Sequence, residues 1–200
     1  VDYKASVWVN GRLVVQHEGG HTPFSADITP YLIADAAQTI VVRAKDDPRD
    51  LRQPRGKQYW EKRPGYIWYH RTTGIWQPVW LECLPAIAIS EIRWTPELDR
   101  FGVSLSLLID RAPPPGWRIR VRLRGDKPQK LLADDSYLLD GNYIRRDILL
   151  DIGNASISRA RGILWSPDNP NLIDAVIELV DDKGQVADRV ESYFGLRRID

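Results

Sequence analysis

Two histidines four residues apart, with a glutamate between them, form the first candidate chemical site. His17-Glu18-Gly19-Gly20-His21 matches H-E-x-x-H, a motif in which a helix places both histidines on one face to bind zinc. Two consecutive glycines each cost a helix about 1 kcal/mol, and a hairpin pattern precedes them. His70 is the only further histidine. The segment therefore predicts a glycine-rich turn between strands, and we expect no metal and no other cofactor.

A second candidate site is a segment that interleaves aromatic and polar side chains. Its aromatic residues are Tyr59, Trp60, Tyr66, Trp68, Tyr69, Trp76 and Trp80, and the polar residues among them include Lys57, Gln58, His70, Arg71 and Gln77. Aromatic faces stack on sugar rings or nucleobases, while the polar groups bind hydroxyls and carboxylates. Between Arg43 and Arg71, nine Lys and Arg stand against four Asp and Glu, which favours an acidic sugar or a nucleic acid. Trp68, Trp76 and Trp80 are equally compatible with a core or a domain interface.

The remaining reactive residue types form no catalytic motif. Asp46-Asp47 and Asp134-Asp135 predict solvated loop charges, and nothing indicates the paired carboxyls of a glycosidase. Cys83 ends an apolar run, which predicts a buried, inert thiol. Asn154-Ala155-Ser156 is a glycosylation sequon that matters only in a secreted protein.

Short strands separated by turns must position these residues. Val7–Val9 and Arg12–Val15 flank Asn10-Gly11, which predicts a hairpin with a type I′ turn. Prolines and glycines between Asp46 and Gln77 predict a long irregular loop. Further strands are predicted at 39–44, 79–84, 87–94, 103–109, 118–124, 143–150, 173–180 and 186–194, with turn signals such as Gly125-Asp126 between them. The rhythm of the last six is typical of an immunoglobulin-like sandwich.

Composition limits the class of protein. With 43% hydrophobic and 28% charged residues, the chain has the usage of a globular protein with a core. Its net charge of +1 disfavours a dedicated nucleic-acid binder, and no apolar run approaches the roughly 20 residues of a membrane span. The single cysteine and the lack of a secretory signal in this segment are compatible with the cytoplasm, although the localisation stays unknown. Because the sequence holds no methionine and Val1–Val9 already has a strand pattern, we expect the chain to begin partway into a domain.

Five stretches, in order along the chain, carry a resemblance to a known family. They are residues 7–11 with 17–24, residues 46–58, Arg71-Thr72-Thr73-Gly74-Ile75-Trp76-Gln77-Pro78-Val79-Trp80-Leu81-Glu82, residues 164–172 and residues 193–199. Together they resemble the non-catalytic N-terminal region of glycoside hydrolase family 2, the family of β-galactosidases, β-glucuronidases and β-mannosidases. The resemblance implies an all-β chain: residues 1–84 as the C-terminal part of a truncated, galactose-binding-like jelly roll, and residues 85–200 as an immunoglobulin-like β-sandwich.

The same resemblance implies where catalysis takes place. Family members are retaining glycosidases with two catalytic glutamates on a (β/α)₈ barrel of about 250 residues. Such a barrel would begin after Ile199, so the resemblance implies that this chain carries no catalytic residue and supports a barrel outside it. The expected partners are that barrel, carbohydrate through the parent enzyme, and a second copy of the chain through unpaired sheet edges. Nucleic acid and membrane are not expected.

In relatives, a loop of the first domain can reach the substrate pocket of the barrel. The matching region and its residue types nominate eight substrate-binding residues: Asp47, Arg55, Lys57, Gln58, Trp60, Trp68, Tyr69 and Arg71. Some relatives place an aspartate three residues before the arginine that matches Arg71, where this chain has Trp68. Two other functions remain open, namely a stand-alone carbohydrate-binding module using the aromatic loop 57–71 and a zinc hydrolase using His17 and His21.

Overall fold

The computed structural model describes residues 1–125, 130–152 and 161–198. Within these ranges the chain consists of antiparallel strands joined by loops and 3₁₀ turns, so the predicted all-β class is confirmed. The turn signal at Asp126, the sequon Asn154-Ala155-Ser156 and Ile199 lie outside the described residues. No helix in the described ranges has the length and apolar character needed to cross a bilayer.

The chain divides into two compact units, Val1–Leu81 and Glu82–Asp200. The assignment of residues 1–84 to a partial jelly roll and of residues 85–200 to an immunoglobulin-like domain stays a prediction. The two units are described separately below, because each has its own sheets.

The first unit is built on a three-stranded antiparallel sheet. β1 (Lys4–Val9) lies between β2 (Arg12–Glu18) and β3 (Ile40–Lys45). Asn10 and Gly11 connect β1 to β2 with φ angles of 49° and 80°, the left-handed values that both central positions of a type I′ turn require. The predicted Asn-Gly hairpin is therefore confirmed.

Asn10 also anchors the irregular segment that leads into β3. Its side-chain amide donates to the carbonyl of Tyr31 at 2.8 Å and to Oε1 of Gln38 at 2.7 Å, and its side-chain oxygen accepts the N–H of Thr39 at 3.0 Å. These bonds satisfy backbone groups that the segment cannot pair within a ladder. One turn residue thus fixes both the hairpin and the approach to β3.

Little of the first unit is buried. Within residues 1–81, all of which the structure describes, the buried apolar side chains are Ala5 and Val9. Both lie on the same face of the sheet, because alternate residues of a strand share a face. Ile40, the cross-strand neighbour of Val9, is exposed. The apolar face of this sheet is therefore only partly covered.

The structure contradicts the strand predicted at residues 79–84. This segment is irregular and forms no ladder with the described strands, and Val79, Trp80 and Leu81 are exposed. An apolar run becomes a strand only when a neighbouring strand pairs with its backbone. Cys83 consequently lies exposed as a free thiol, so the prediction of a buried cysteine is wrong.

The second unit contains nine strands in its described part. They are β4 (Ile89–Glu97), β5 (Gly102–Ile109), β6 (Arg118–Gly125), β7 (Leu131–Leu138), β8 (Tyr143–Leu149), β9 (Trp165–Ser166), β10 (Asn169–Pro170), β11 (Ile173–Val180) and β12 (Val186–Phe194). β9 and β10 form a small hairpin, and the seven longer strands form two sheets, β4-β5-β8 and β12-β11-β6-β7. An immunoglobulin constant-type domain places its fourth strand on the sheet of the first, second and fifth strands, whereas here the fourth long strand, β7, pairs with β6.

The core of the chain lies between these two sheets. Leu105 and Leu107 of β5 and Ile119 and Leu123 of β6 belong to one buried apolar cluster. The arginines that alternate with the apolar residues of β6 are exposed or half-buried. The predicted alternation of β6 is therefore confirmed, and it gives the unit a continuous sandwich core.

β7 is a strand that the local pattern does not predict. Its two central carboxylates, Asp134 and Asp135, suggested a solvated loop. Asp134 instead accepts two hydrogen bonds from Arg120 on β6, at 2.8 and 2.7 Å, and these bonds lower the pKa of Asp134 below its usual value. Asp135 accepts the hydroxyl of Tyr137 at 2.9 Å. Arg120 on β6 therefore compensates the charge of Asp134, and the sequence of β7 alone does not reveal this partner.

The side of the sandwich between β4 and β12 is closed by specific hydrogen bonds. The N–H of Ile89 donates to the carboxylate of Asp188 at 2.8 Å, and the indole N–H of Trp94 donates to the hydroxyl of Ser192 at 3.1 Å. The rings of Trp94 and Phe194 lie 5.0 Å apart, centroid to centroid. These contacts join the two sheets along this side.

The opposite side, between β7 and β8, carries polar residues. The guanidinium of Arg146 lies over the ring of Tyr137 at 5.5 Å. Burial, together with the hydrogen bond to Asp135, raises the pKa of Tyr137 to about 12. Charged residues at the open side of a sandwich oppose pairing with a further strand, so this cluster protects the two edge strands.

The end of the described chain returns to β9. Leu196 forms a parallel bridge with Leu164, and its carbonyl accepts the N–H of Trp165 at 3.1 Å. The guanidinium of Arg197 lies over the Trp165 ring at 4.7 Å. Trp165 therefore fixes the path of the segment that follows β12.

Candidate functional site

The aromatic segment predicted from the sequence folds into a closed loop. The N–H of Tyr59 donates to the carbonyl of Tyr69, and the N–H of Tyr69 donates to the carbonyl of Lys57, both at 2.9 Å. Gln58 and Tyr69 form a parallel bridge. A loop whose ends meet and whose side chains pack inside it is an Ω-loop, a type that is frequently functional. We call residues 57–69 the aromatic loop.

Two of the nominated tryptophans pack inside this loop. The rings of Trp60 and Trp68 lie edge to face at 5.5 Å, and Tyr59 lies 4.7 Å from Trp60 and 6.3 Å from Trp68, between ring centroids. The guanidinium of Arg55 lies 5.2 Å from the centre of the Trp60 ring. Arg55, Trp60 and Trp68 are therefore brought together, and all three are half-buried. Their contacts stabilise the loop and leave little ring surface for a ligand.

The exposed tip of the loop consists of other residues. Tyr66 and Ile67 project into solvent, and Tyr69 is exposed beside them. The N–H of Trp68 donates to the carbonyl of Gly65 at 3.1 Å, closing a turn in which Tyr66 has a left-handed φ of 56°. Tyr66 is one of the aromatic residues of this segment, but it is not among the eight residues nominated for substrate binding. Pro64-Gly65 was the available signal, because that dipeptide marks a turn.

Asp47 and Gln58 are engaged with the backbone of their own unit. The Asp47 carboxylate accepts the N–H of Arg49 at 3.0 Å, which is an Asx turn. The side-chain oxygen of Gln58 accepts the N–H of Thr72 at 2.8 Å. Both side chains therefore hold the loop conformation, while Lys57 remains exposed to solvent.

Arg71, the last nominated residue, lines an open depression of about 320 Å³. The lining residues are Asp46, Pro48, Lys62, His70, Arg71 and Thr73. The hydroxyl of Thr73 donates to the Asp46 carboxylate at 3.2 Å. Burial raises the pKa of Asp46, although the Thr73 hydrogen bond and the charge of Arg71 act in the opposite direction. The depression therefore combines one partly buried carboxylate with three basic side chains, of which only Arg71 was nominated from the sequence.

The H-E-x-x-H segment forms the predicted turn. β2 ends at Glu18, and Gly19 has a φ of 130°, so the two histidines do not share a helix face. His17 stacks on Phe24 at 4.6 Å between ring centroids, and its Nε2 lies 3.0 Å from the Thr22 hydroxyl. In the described ranges, no three His, Cys, Asp or Glu side chains are placed to hold a metal ion.

Comparison with known proteins places this geometry in a family. The family model for glycosyl hydrolases family 2 matches residues 87–197. A β-glucuronidase from Paenibacillus borealis is 28% identical over 98% of this chain and 32% of its own length. A β-galactosidase from Halalkalibacterium halodurans is 23% identical over 97% of this chain and 17% of its own length. The chain belongs to glycosyl hydrolases family 2.

The fold agrees with this assignment. The structure of a Ruminococcus gnavus β-glucuronidase in complex with D-glucuronic acid matches all of this chain and 32% of its own length, with a TM-score of 0.63 and 18% identity. At that identity the match establishes the β-sandwich fold alone. The chain spans about a third of the length of the Paenibacillus relative.

Proposed function

We propose that this chain is the non-catalytic β-sandwich region of a family 2 glycoside hydrolase and that the parent enzyme hydrolyses O-glycosidic bonds with groups outside the chain. Coverage carries the proposal, because the similarity to the Paenibacillus enzyme extends over 98% of this chain but 32% of that protein. The depression supports it as well. Its lining holds one carboxylate, Asp46, whereas a retaining glycosidase needs two carboxyls about 5–5.5 Å apart.

Within the parent enzyme, the chain has two roles in this proposal. The sandwich of the second unit supports the catalytic domain, and the aromatic loop contributes to the substrate side. The exposed tip at Tyr66, Ile67 and Tyr69 favours the second role. Aromatic rings on a closed loop offer flat apolar area at little conformational cost, which suits a polar, ring-shaped ligand. The eight nominated residues remain a proposal in this respect.

The loop role is tested by replacing Tyr66 with serine in a longer gene product that contains this chain. A lost stacking contact is worth about 0.5–1.5 kcal/mol, so we expect KM to rise roughly two- to tenfold with an unchanged melting temperature. Tyr193→Ser, at an exposed tyrosine of the second unit, is the matched control and should leave KM unchanged. Equal KM values for both variants and the parent enzyme would show that the aromatic loop does not contribute to substrate binding.

A stand-alone carbohydrate-binding module is the second candidate function. The same exposed tip favours this function. The predicted module comprises the aromatic loop together with His70 and Arg71, that is, residues 57–71. A module binds soluble glycans as the 200-residue chain, whereas a supporting region does not. Calorimetric titration of the chain with oligosaccharides separates the two, since saturable binding that is lost in Tyr66→Ser supports the module. Self-association of the chain stays a prediction, tested by sedimentation.

A further inference from the structure

β12 is an outer strand whose main-chain edge pairs with no other strand in the described part of the chain. It lies at the end of the sheet β12-β11-β6-β7 and forms its ladder with β11. β4 of the other sheet lies against β12, but the hydrogen bonds that β4 donates end on the side chains of Asp188 and Ser192. The main-chain groups on this side of β12 are therefore open to a further strand.

The other three outer strands of the two sheets carry features that oppose such pairing. β4 contains Pro96, which has no N–H to donate, and its register is irregular between Ile89 and Glu91. β7 and β8 carry the polar cluster around Tyr137. β12 has nine residues without proline or glycine, and it pairs with β11 without interruption over residues 188–194. β12 is therefore the edge that is most open to another chain.

The exposed face of β12 carries two opposite charges on either side of one apolar residue. Arg189 and Glu191 share this face, because alternate residues of a strand lie on the same side of the sheet, and their side chains are 51% and 74% exposed. They form an ion pair with each other at 2.9 Å. Val190 lies between them in the chain, on the opposite face. A strand with this pattern is complementary to a copy of itself that runs in the opposite direction.

Charge selects one register for such self-pairing. The inner faces of both copies lie on the same side of the joined sheet only when one residue lies opposite its own copy, because a shift by one residue exchanges the faces. Centring on Arg189 or on Glu191 sets that residue opposite itself, and like charges directly opposite each other are destabilising. Centring on Val190 instead sets each Arg189 opposite Glu191 of the second copy.

We propose that β12 pairs antiparallel with β12 of a second copy of this chain, centred on Val190, and so joins the two four-stranded sheets into one. Main-chain hydrogen bonds supply the affinity, and the two Arg189–Glu191 pairs between copies fix the register. This inference does not rest on the proposed function. It assigns the predicted self-association to one edge of the second unit.

The test is sedimentation velocity of the 200-residue chain over a series of concentrations at low, constant ionic strength. We expect a concentration-dependent dimer. Arg189→Glu and Glu191→Arg should each raise the dissociation constant at least about fivefold, because each sets like charges opposite at two symmetry-related positions. An equimolar mixture of these two variants should dimerise again, since opposite charges then face each other. Arg124→Glu, at an exposed arginine of the inner strand β6, is the matched control and should leave the dissociation constant unchanged.

A disulfide cross-link tests the register independently. Cys83→Ser first removes the exposed thiol of the chain. In that background, Val190→Cys should form a disulfide between copies on oxidation, since Cα atoms of opposed residues in antiparallel strands lie about 4.5–5.5 Å apart, within the range that a disulfide spans. Val186→Cys should form none, because the proposed register sets Val186 opposite Phe194 of the second copy.

Three results would overturn the proposal. A chain that stays monomeric throughout the series would exclude the dimer, and a dimer that neither charge reversal weakens would lie on another surface. Variants that stay apart when mixed, or a cross-link through residue 186, would exclude this register. Melting temperatures verify that each variant is folded. Because the measurement needs no turnover, a missing dimer leaves the proposed function intact, and an inactive parent enzyme leaves the dimer intact.

Discussion

Gly195 lies directly beneath the indole of Trp165. A Cβ atom placed on Gly195 would lie 3.1 Å from Cγ of Trp165 and 3.2 Å from both its Cβ and its Cδ1. Those separations are shorter than ordinary van der Waals contact, so Trp165 would have to shift by a few tenths of an ångström to accommodate a methyl group at this position. With Arg197 over the same ring system, Trp165 holds two residues of the segment that follows β12.

Gly195→Ala should therefore destabilise the second unit. Overpacking a filled site typically costs about 1–3 kcal/mol, and we expect a loss of that size in urea unfolding. Gly141→Ala is the matched control, since nothing lies within 4 Å of its added methyl group. An unchanged free energy of unfolding for Gly195→Ala would mean that Trp165 moves aside freely.

Tyr137→Phe should destabilise the side of the sandwich between β7 and β8. The substitution removes the hydroxyl that donates to Asp135, and a half-buried carboxylate that loses its donor costs about 1–2 kcal/mol. Tyr143→Phe, at an exposed tyrosine of β8, should have no such effect. Equal stabilities for the two variants would contradict the hydrogen-bonded cluster.

The same tyrosine predicts an alkaline pH dependence. The pKa of Tyr137 is raised to about 12 in the folded chain, whereas the pKa of a tyrosine in the unfolded chain is about 10. The unfolded state therefore loses its proton first, and the stabilising contribution is lost as pH rises from about 10 to 12. The stability difference between the parent chain and Tyr137→Phe should shrink over this interval, and a constant difference would refute the shift.

Asp134→Asn should change the acid dependence of stability. The hydrogen bonds from Arg120 hold the pKa of Asp134 below its usual value, so this carboxylate stabilises the fold above about pH 4 and stops doing so as pH falls through its lowered pKa. We expect the parent chain to melt at a higher temperature than Asp134→Asn at pH 6, with the difference shrinking as pH falls below about 4. Asp140→Asn, in an exposed turn, is the matched control for the loss of one charge and should melt at the temperature of the parent chain at pH 6.

Cys83 should react as an accessible thiol. It lies exposed in the irregular segment after the first unit, so Ellman's reagent should modify it in the native chain at a rate within about threefold of that in urea. Strong protection in the native chain would instead support the buried strand that the sequence suggested.

Parts of the fold could be predicted where the local sequence of a turn or a strand is sufficient to specify its conformation. Asn10-Gly11 specifies its turn because few other residues adopt both left-handed angles, and the alternation in β6 marks its buried face. β7 could not be predicted, because the carboxylate of Asp134 at its centre is compensated by Arg120 on another strand. The strand predicted at residues 79–84 is wrong for the opposite reason, since an apolar run predicts a strand although this segment forms no ladder with a described strand.

The candidate site was predictable in its location but less so in its residues. Aromatic and basic composition indicated the loop, which the structure closes between Lys57 and Tyr69. Composition does not distinguish rings that pack on each other, such as Trp60 and Trp68, from rings that project, such as Tyr66. That distinction depends on the turn at Gly65 and on which side of the loop each residue faces.

The most direct test of the central claim is hydrolysis of a panel of aryl β-glycosides at equal molar concentrations of two proteins. One is this 200-residue chain and the other is a longer gene product that contains it. The proposed function predicts turnover of at least one glycoside by the longer protein and none by the chain, and the cleaved glycoside identifies the sugar. Turnover by the chain itself, retained after repurification, would contradict the non-catalytic assignment and would direct the search for a catalytic carboxylate to Asp46.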